Sequence, residues 1–296
     1  MRSPVWLLLA TTVASVLSAL PCSASETSLW SRENLVAWCI VPFDAKKRGP
    51  VERAEMLQRL GLTKLAYDFR DEHIPTFDAE VKAMQEHGIE IVAWWFPTTL
   101  NKTAETILDV VRRHNLRLQL WVTGWNQPWY AEATPERILE HEVARIRTLA
   151  DAANNVGCTV ALYNHGGWFG QPEHQVAIIE ALRVQGVRNV GIVYNFHHAH
   201  EDVARFAELW TRMQPHVVAV NLNGMVRDGE RRGQKIVRLG QGDHEREMMQ
   251  IIQRSGWRGP VGVLDHLPEL DSEIVLRENL AGLAELAKQL RPPSAR

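Results

Sequence analysis

The sequence predicts a single (β/α)8 barrel, an α/β fold, with its working site at the C-terminal ends of the strands. Three observations carry this. Eight short apolar runs recur along the chain, each pair is separated by a stretch of helical periodicity or a loop, and glycines repeatedly punctuate the passage from helix to the next run. The length of 296 residues suits one barrel of this type, which typically takes roughly 250 residues.

The apolar runs are 35–42, 62–68, 89–96, 116–123, 158–164, 190–195, 217–222 and 260–265. They lack strict polar–apolar alternation, as expected of parallel strands covered on both faces. Between them, 51–60 spaces its apolar residues for one buried face and stops at Gly61, and 77–87 stops at Gly88. Pro135 opens a long helix towards Ala153, where a first turn tolerates proline. Segments 173–185 and 245–255 end at Gly186 and Gly256. The competing architecture is an open doubly wound sheet, but no glycine-rich phosphate fingerprint follows the first run. Gly240-Gln241-Gly242 comes too late and is too short to serve as one, so no nucleotide cofactor is expected.

The N-terminus reads as an export signal over residues 1–25. Arg2 is followed by the uncharged stretch 6–20, then Pro21 and the small residues Cys22-Ser23-Ala24-Ser25. The stretch is shorter than the ~20 residues a spanning helix requires, so no membrane span is expected after cleavage and the mature chain is expected in the periplasm or outside the cell. The barrel is assigned to 26–290 and a frayed tail to 291–296. Cys39 and Cys158 then remain, both in apolar runs, where they read as small core side chains. A net charge of −2 with no basic run gives no footprint for nucleic acid, and a small carbohydrate is the expected partner.

Chemistry-bearing residues collect where the runs end. The second gives Asp68 and Arg70, and the third Trp94 with Trp95. The fourth is followed by Trp125, and the fifth by Asn164, His165, Gly166, Gly167 and Trp168. The sixth gives Asn195 and His198, the seventh Asn221, and the eighth Asp265 and His266. Any one of these has an ordinary explanation as a loop or packing residue, but all fall at one end of the expected barrel. Trp94, Trp125 and Trp168 are expected to stack on sugar rings, and Asn164, Asn195, Asn221 and Arg70 to bind polar groups of a substrate. His165, His198 and Asp68 are the candidate catalytic residues. Proton abstraction beside a carbonyl needs a base and an electrophile for the enolate oxygen. His165, His198 and His266 form a candidate site for a divalent transition metal, the other reading being that they bind substrate directly.

The chain resembles the xylose isomerase-like barrels, a superfamily of sugar (phosphate) isomerases and epimerases that also includes endonuclease IV. The resemblance rests on Ala161-Leu162-Tyr163-Asn164-His165, on Gly191-Ile192-Val193-Tyr194-Asn195 with His198 three residues on, and on Leu239-Gly240-Gln241-Gly242-Asp243. It implies the same fold, a sugar substrate, and a metal held by Glu, Asp, His and Glu from strands five to eight. This chain departs at each position: Tyr163, Asn195, Asn221, and Leu264 or, with a one-residue slip, Asp265. Amides and a phenol cannot balance a divalent cation as carboxylates do.

The expected function is that of an exported enzyme enolising a keto-sugar, with isomerisation, epimerisation or β-elimination of an oxidised glycoside as the outcome. The alternative is a non-catalytic carbohydrate-binding barrel, which the lost carboxylates and the tryptophans would suit. A DNA-repair endonuclease is disfavoured by export, charge and the missing carboxylates.

Overall fold

The computed structural model describes residues 28–125 and 127–290. The export signal expected at 1–25 and the frayed tail expected at 291–296 lie outside the described residues. Eight parallel strands close into a barrel in sequence order: β1 (Leu35–Trp38), β2 (Lys64–Tyr67), β3 (Glu90–Trp95), β4 (Gln119–Val122), β5 (Thr159–Tyr163), β6 (Val190–Asn195), β7 (Val217–Leu222) and β8 (Val261–Leu264). The ring closes where β8 pairs with β1, from Leu35 opposite Val261 to Trp38 opposite Leu264. Each strand falls within one of the eight apolar runs.

The helices are α1 (Pro50–Arg59), α2 (Phe77–Glu86), α3 (Lys102–Arg113), α4 (Pro135–Asn154), α5 (Pro172–Val184), α6 (Phe206–Met213), α7 (Glu245–Arg254) and α8 (Ser272–Gln289). Their starts follow local chemistry. Asn101 and Thr134 accept amide hydrogen bonds as N-caps of α3 and α4, and prolines occupy the first turns of α1, α4 and α5.

Side chains divide into two cores. One lies between strands and helices and holds Leu65, Tyr67, Trp94, Leu120, Leu162, Ile192, Val220 and Val263. The other fills the barrel interior with Val36, Trp38, Ala66, Ala93, Trp121, Ala161, Tyr163, Val193, Ala219 and Leu264. The interior mixes very large with very small side chains, and that is why it closes: the rings of Trp38, Trp121 and Tyr163 occupy space left by the alanines on β2, β3, β5 and β7. Trp38 meets Trp121 edge-on at 4.6 Å, and Trp95 meets Tyr163 edge-on at 5.0 Å. These rings form a solid floor across the upper barrel.

The loops above β3 and β4 are tied by one buried residue of α4. Arg145 donates to the Thr98 carbonyl at 2.8 Å and to the Thr123 carbonyl at 3.2 Å, and pairs with Glu142 at 2.5 Å. Its guanidinium also sits 5.1 Å over the Phe169 ring, which links the β5 loop to the same anchor.

Candidate active site

Above the aromatic floor, at the C-terminal ends of the strands, lies a cavity of about 370 Å3, in the size range of small-molecule sites. Trp38, Trp95 and Tyr163 face it from below, and its walls include Cys39, Phe43, Asp68, Arg70, His165, His197, His198 and His266. A larger hollow of about 790 Å3 opens at the other end of the barrel, lined by strand starts and turns such as Asn34, Lys64, Arg117 and Gly259. Its lining carries no histidine, cysteine or aspartate, whereas the smaller cavity carries all three.

The wall is a continuous arc of rings. Arg70 lies 5.3 Å over Phe43, and Phe43 stacks on His266 at 4.0 Å. His266 is 5.6 Å from His197, His197 is 4.0 Å from His198, and His198 is 4.5 Å from His165. Backbone geometry presents these groups. His266 and Cys39 both adopt left-handed φ, at 59° and 57°, Cys39 directly after β1 and His266 two residues after β8. Gly166 and Gly167 turn the chain after His165 at φ 63° and 64°, a conformation that glycine adopts without strain.

Burial sets the protonation states. It pushes Asp68 up to about 7, opposed by Arg70. One carboxylate oxygen accepts from the Val41 amide at 3.3 Å, while the other is buried without a partner. Burial pulls His198 down to about 2, reinforced by His165, and it lowers His165 and His266 as well. His197 is also held well below the usual imidazole range, through burial and then its neighbours His198 and His266. The histidines are therefore neutral at pH 7. Burial also raises the Cys39 thiol, helped by Asp68 and Asp265, and keeps it protonated; Cys39 and Cys158 are both free and buried.

Of the sequence-predicted residues, Asp68, Arg70, His165, His198 and His266 line the cavity. The others stand elsewhere. Trp94 is fully buried on the outer face against Tyr67 and Phe77, at 4.6 and 5.0 Å. Its neighbour Trp95 is the one that faces the cavity. Trp168 packs its ring on His174 at 4.0 Å, and Trp125 sits on the rim, 40% exposed, beside His141.

Asn164, Asn195 and Asn221 are buried and bonded to one another rather than open to a ligand. Asn164 accepts from the Asn195 amide at 2.7 Å, and Asn221 donates to the Asn195 side chain at 2.5 Å. They lock the ends of β5, β6 and β7. Gly262 lies so close to the Asn221 side chain that a Cβ there would fall 1.8 Å from its oxygen. Sequence reasoning did not single out Trp38, Trp95, Tyr163, Phe43, Cys39 or His197 as wall residues. The parity of β2 held the signal. Asp68 points inward, so Tyr67 and its register partner Trp94 point outward, and Trp95 inward.

A metal of the kind the fold family implies does not fit the residues at the ends of β5 to β8. Tyr163 belongs to the floor, with its hydroxyl 3.5 Å from His197. Asn195 and Asn221 are bonded to each other, and Leu264 points into the interior core. The one-residue slip is not the register adopted, since Asp265 turns to the hydroxyl of Ser272 and the amide of Leu267. The alternative trio His165, His198 and His266 shares the cavity wall, but among the described residues no three His, Cys, Asp or Glu side chains are grouped to hold an ion.

Comparison with known proteins places this geometry in context. The family model described as a xylose isomerase-like TIM barrel matches residues 55–286. No curated protein sequence matches the chain. Among solved structures, 3-keto-D-glucoside 4-epimerase from E. coli superposes with a TM-score of 0.62 at 13% identity, covering 86% of this chain and 99% of that one. The zinc-binding IOLI protein reaches 0.67 at 14% identity, with 87% and 99% covered. D-psicose 3-epimerase from Clostridium cellulolyticum, solved with D-tagatose, reaches 0.58 at 12% identity, with 88% and 100% covered. At these identities the likeness is one of fold.

Proposed function

The chain belongs to the xylose isomerase-like TIM barrel family, and on that footing we propose that it is an exported enzyme that enolises a keto-sugar at the C-terminal mouth of its barrel. The observation that carries the proposal is Asp68. It is a carboxylate in the wall of a sugar-sized cavity, with one oxygen buried and unpartnered and its ionisation moved to about 7. A base poised near the working pH combines a useful ionised fraction with strong proton affinity.

In the proposed reaction the ionised Asp68 takes the proton from the carbon beside the carbonyl. The C–H electron pair becomes the C=C bond of the enolate, and the carbonyl oxygen takes the negative charge. Neutral imidazoles at His165 and His198 donate hydrogen bonds to that oxygen, a task that a neutral histidine performs without itself ionising. Trp38 and Trp95 offer flat apolar surface to the sugar ring. Protonation of the opposite face by solvent gives an epimer, delivery of the Asp68 proton to the adjacent carbon gives an isomer, and loss of a β-substituent that carries off the Asp68 proton gives elimination. All three begin with the same proton abstraction. The functions of the sugar epimerases that share the fold support this substrate class.

The test is solvent deuterium exchange at carbons flanking the carbonyl of 3-keto-glucosides and free ketoses, followed by NMR. Exchange is expected with the parent protein and is expected to fall ~10²-fold or more in Asp68→Asn and in His165→Ala and His198→Ala. Tight sugar binding with no exchange on any ketose would overturn the enzymatic reading in favour of a carbohydrate-binding barrel. Intact mass of exported protein retaining residues 1–20 would overturn the export part.

A further inference from the structure

We infer that this chain enolises its substrate without a divalent cation, the guanidinium of Arg70 together with the His165 and His198 imidazoles holding the enolate oxygen in its place. The inference rests on the enolisation reading above and adds how the developing charge is met.

Three observations converge on it. First, the strand-end positions that face the barrel axis on β5 to β8 present a phenol, two amides and a leucine, none of which carries charge. Asn221 donates to the Asn195 side-chain oxygen at 2.5 Å, and its own buried, unpartnered oxygen is that of a neutral amide. A divalent ion placed there would lack the anionic oxygens that offset its dehydration. Second, the space itself is filled. Trp38, Trp95, Trp121 and Tyr163 pack edge to face across the barrel, so the cavity floor stands above the axial layer rather than opening into it.

Third, the cavity wall carries a protein cation. Arg70 forms no ion pair among the described residues. Its one side-chain hydrogen bond goes to its own neighbour, the Phe69 carbonyl at 2.7 Å, and its face is held by Phe43. Four of its five N–H donors therefore remain for a ligand. Lys235, the other cation near the histidines, is engaged by Glu230 at 2.7 Å. Arg70 also stands two residues from Asp68, which places base and cation on one strand end. That juxtaposition suits a reaction in which Asp68 removes the proton and Arg70 meets the oxyanion. The balance is closed: the proton moves from carbon to Asp68, the negative charge moves from Asp68 to the substrate oxygen, and no oxidant or further reactant is consumed.

The experiment has two arms. In the first, the metal content of the full-length purified protein is measured by mass spectrometry as isolated, the protein is then dialysed against chelator, and thermal unfolding is recorded with and without Zn2+, Mn2+ and Mg2+. No stoichiometric metal and an unchanged melting temperature are expected. In the second arm, deuterium exchange is measured in chelator for the parent, Arg70→Gln and Arg70→Lys. Exchange in the parent is expected to be unaffected by chelator, to drop roughly 10²-fold in Arg70→Gln, and to recover in part in Arg70→Lys.

Stoichiometric metal that is lost in His165→Ala, or exchange abolished by chelator and restored by one of the three ions, would overturn the inference while leaving enolisation intact. Full exchange in Arg70→Gln would likewise overturn it. Absence of exchange under every condition, with metal content and melting unchanged by the ions, would instead overturn the enolisation reading and this inference with it.

Discussion

Replacing Asp68 by Asn tests the electrostatics of the site through stability rather than turnover. In the unfolded chain an Asp releases its proton near 3.8, whereas the folded protein holds this one to about 7. Between those values the folded state binds more protons than the unfolded state, so stability falls as pH rises. The full cost of keeping the ionised group buried is about 4 kcal/mol, reached above pH 7. At pH 5 roughly 1.5 kcal/mol of it is already present, leaving about 3 kcal/mol to be lost between pH 5 and 8.5.

Asn keeps the oxygen that accepts from Val41 and cannot ionise. Its amide nitrogen lands where the unpartnered oxygen now sits, which adds an offset of about 1–3 kcal/mol that does not vary with pH. Asp265, raised to about 7 by burial against the pull of Ser272, produces a second fall of the same sign that the substitution leaves in place. The informative quantity is therefore the difference between variant and parent, measured by urea unfolding at pH 5 and at pH 8.5. Relative to the parent, Asp68→Asn should gain about 3 kcal/mol on going from the lower to the higher pH. A difference that stays constant to within about 0.5 kcal/mol would show that Asp68 is ionised at both pH values, and the case for it as a base titrating near neutrality would fall.

Two further predictions address neighbouring features. Trp94 and Trp95 should separate cleanly: Trp94→Ala should cost about 3–5 kcal/mol of stability by emptying the helix-facing core, while Trp95→Ala should chiefly weaken sugar binding, read by calorimetry against urea unfolding. Loss of sugar binding in Trp94→Ala with normal stability would reverse the assignment of faces. Glu245→Ala should destabilise by about 3 kcal/mol or more, because Glu245 accepts from the amides of Met225, Gly240 and Gly242 at 3.0, 3.1 and 2.9 Å. Limited proteolysis should then cut within 224–244, and a variant as stable and resistant as the parent would contradict that role.

What the sequence disclosed and what it withheld follow from one property of parallel barrels. Strands covered on both faces are apolar throughout, so their positions stand out against polar turns, and all eight fall inside the runs read from composition. The same uniformity erases the alternation that would tell inward from outward. Trp94 and Trp95 are indistinguishable by hydrophobicity, yet one packs under α2 and the other floors the cavity. The three asparagines were legible as strand-end residues, but whether an amide faces a ligand or a neighbouring amide depends on strand register, which places Asn195 beside Asn221. The turn at 239–243 was legible as a motif, whereas its partner Glu245 was not: the glycine amides there surround a carboxylate of the protein itself. Polar residues whose side chains have few ways to be satisfied locally, such as Asp68 and the histidines, were the ones whose placement survived. A strand-end charge that finds no partner on its own element must meet solvent, another strand or a ligand, and in a closed barrel all three lie at the same mouth.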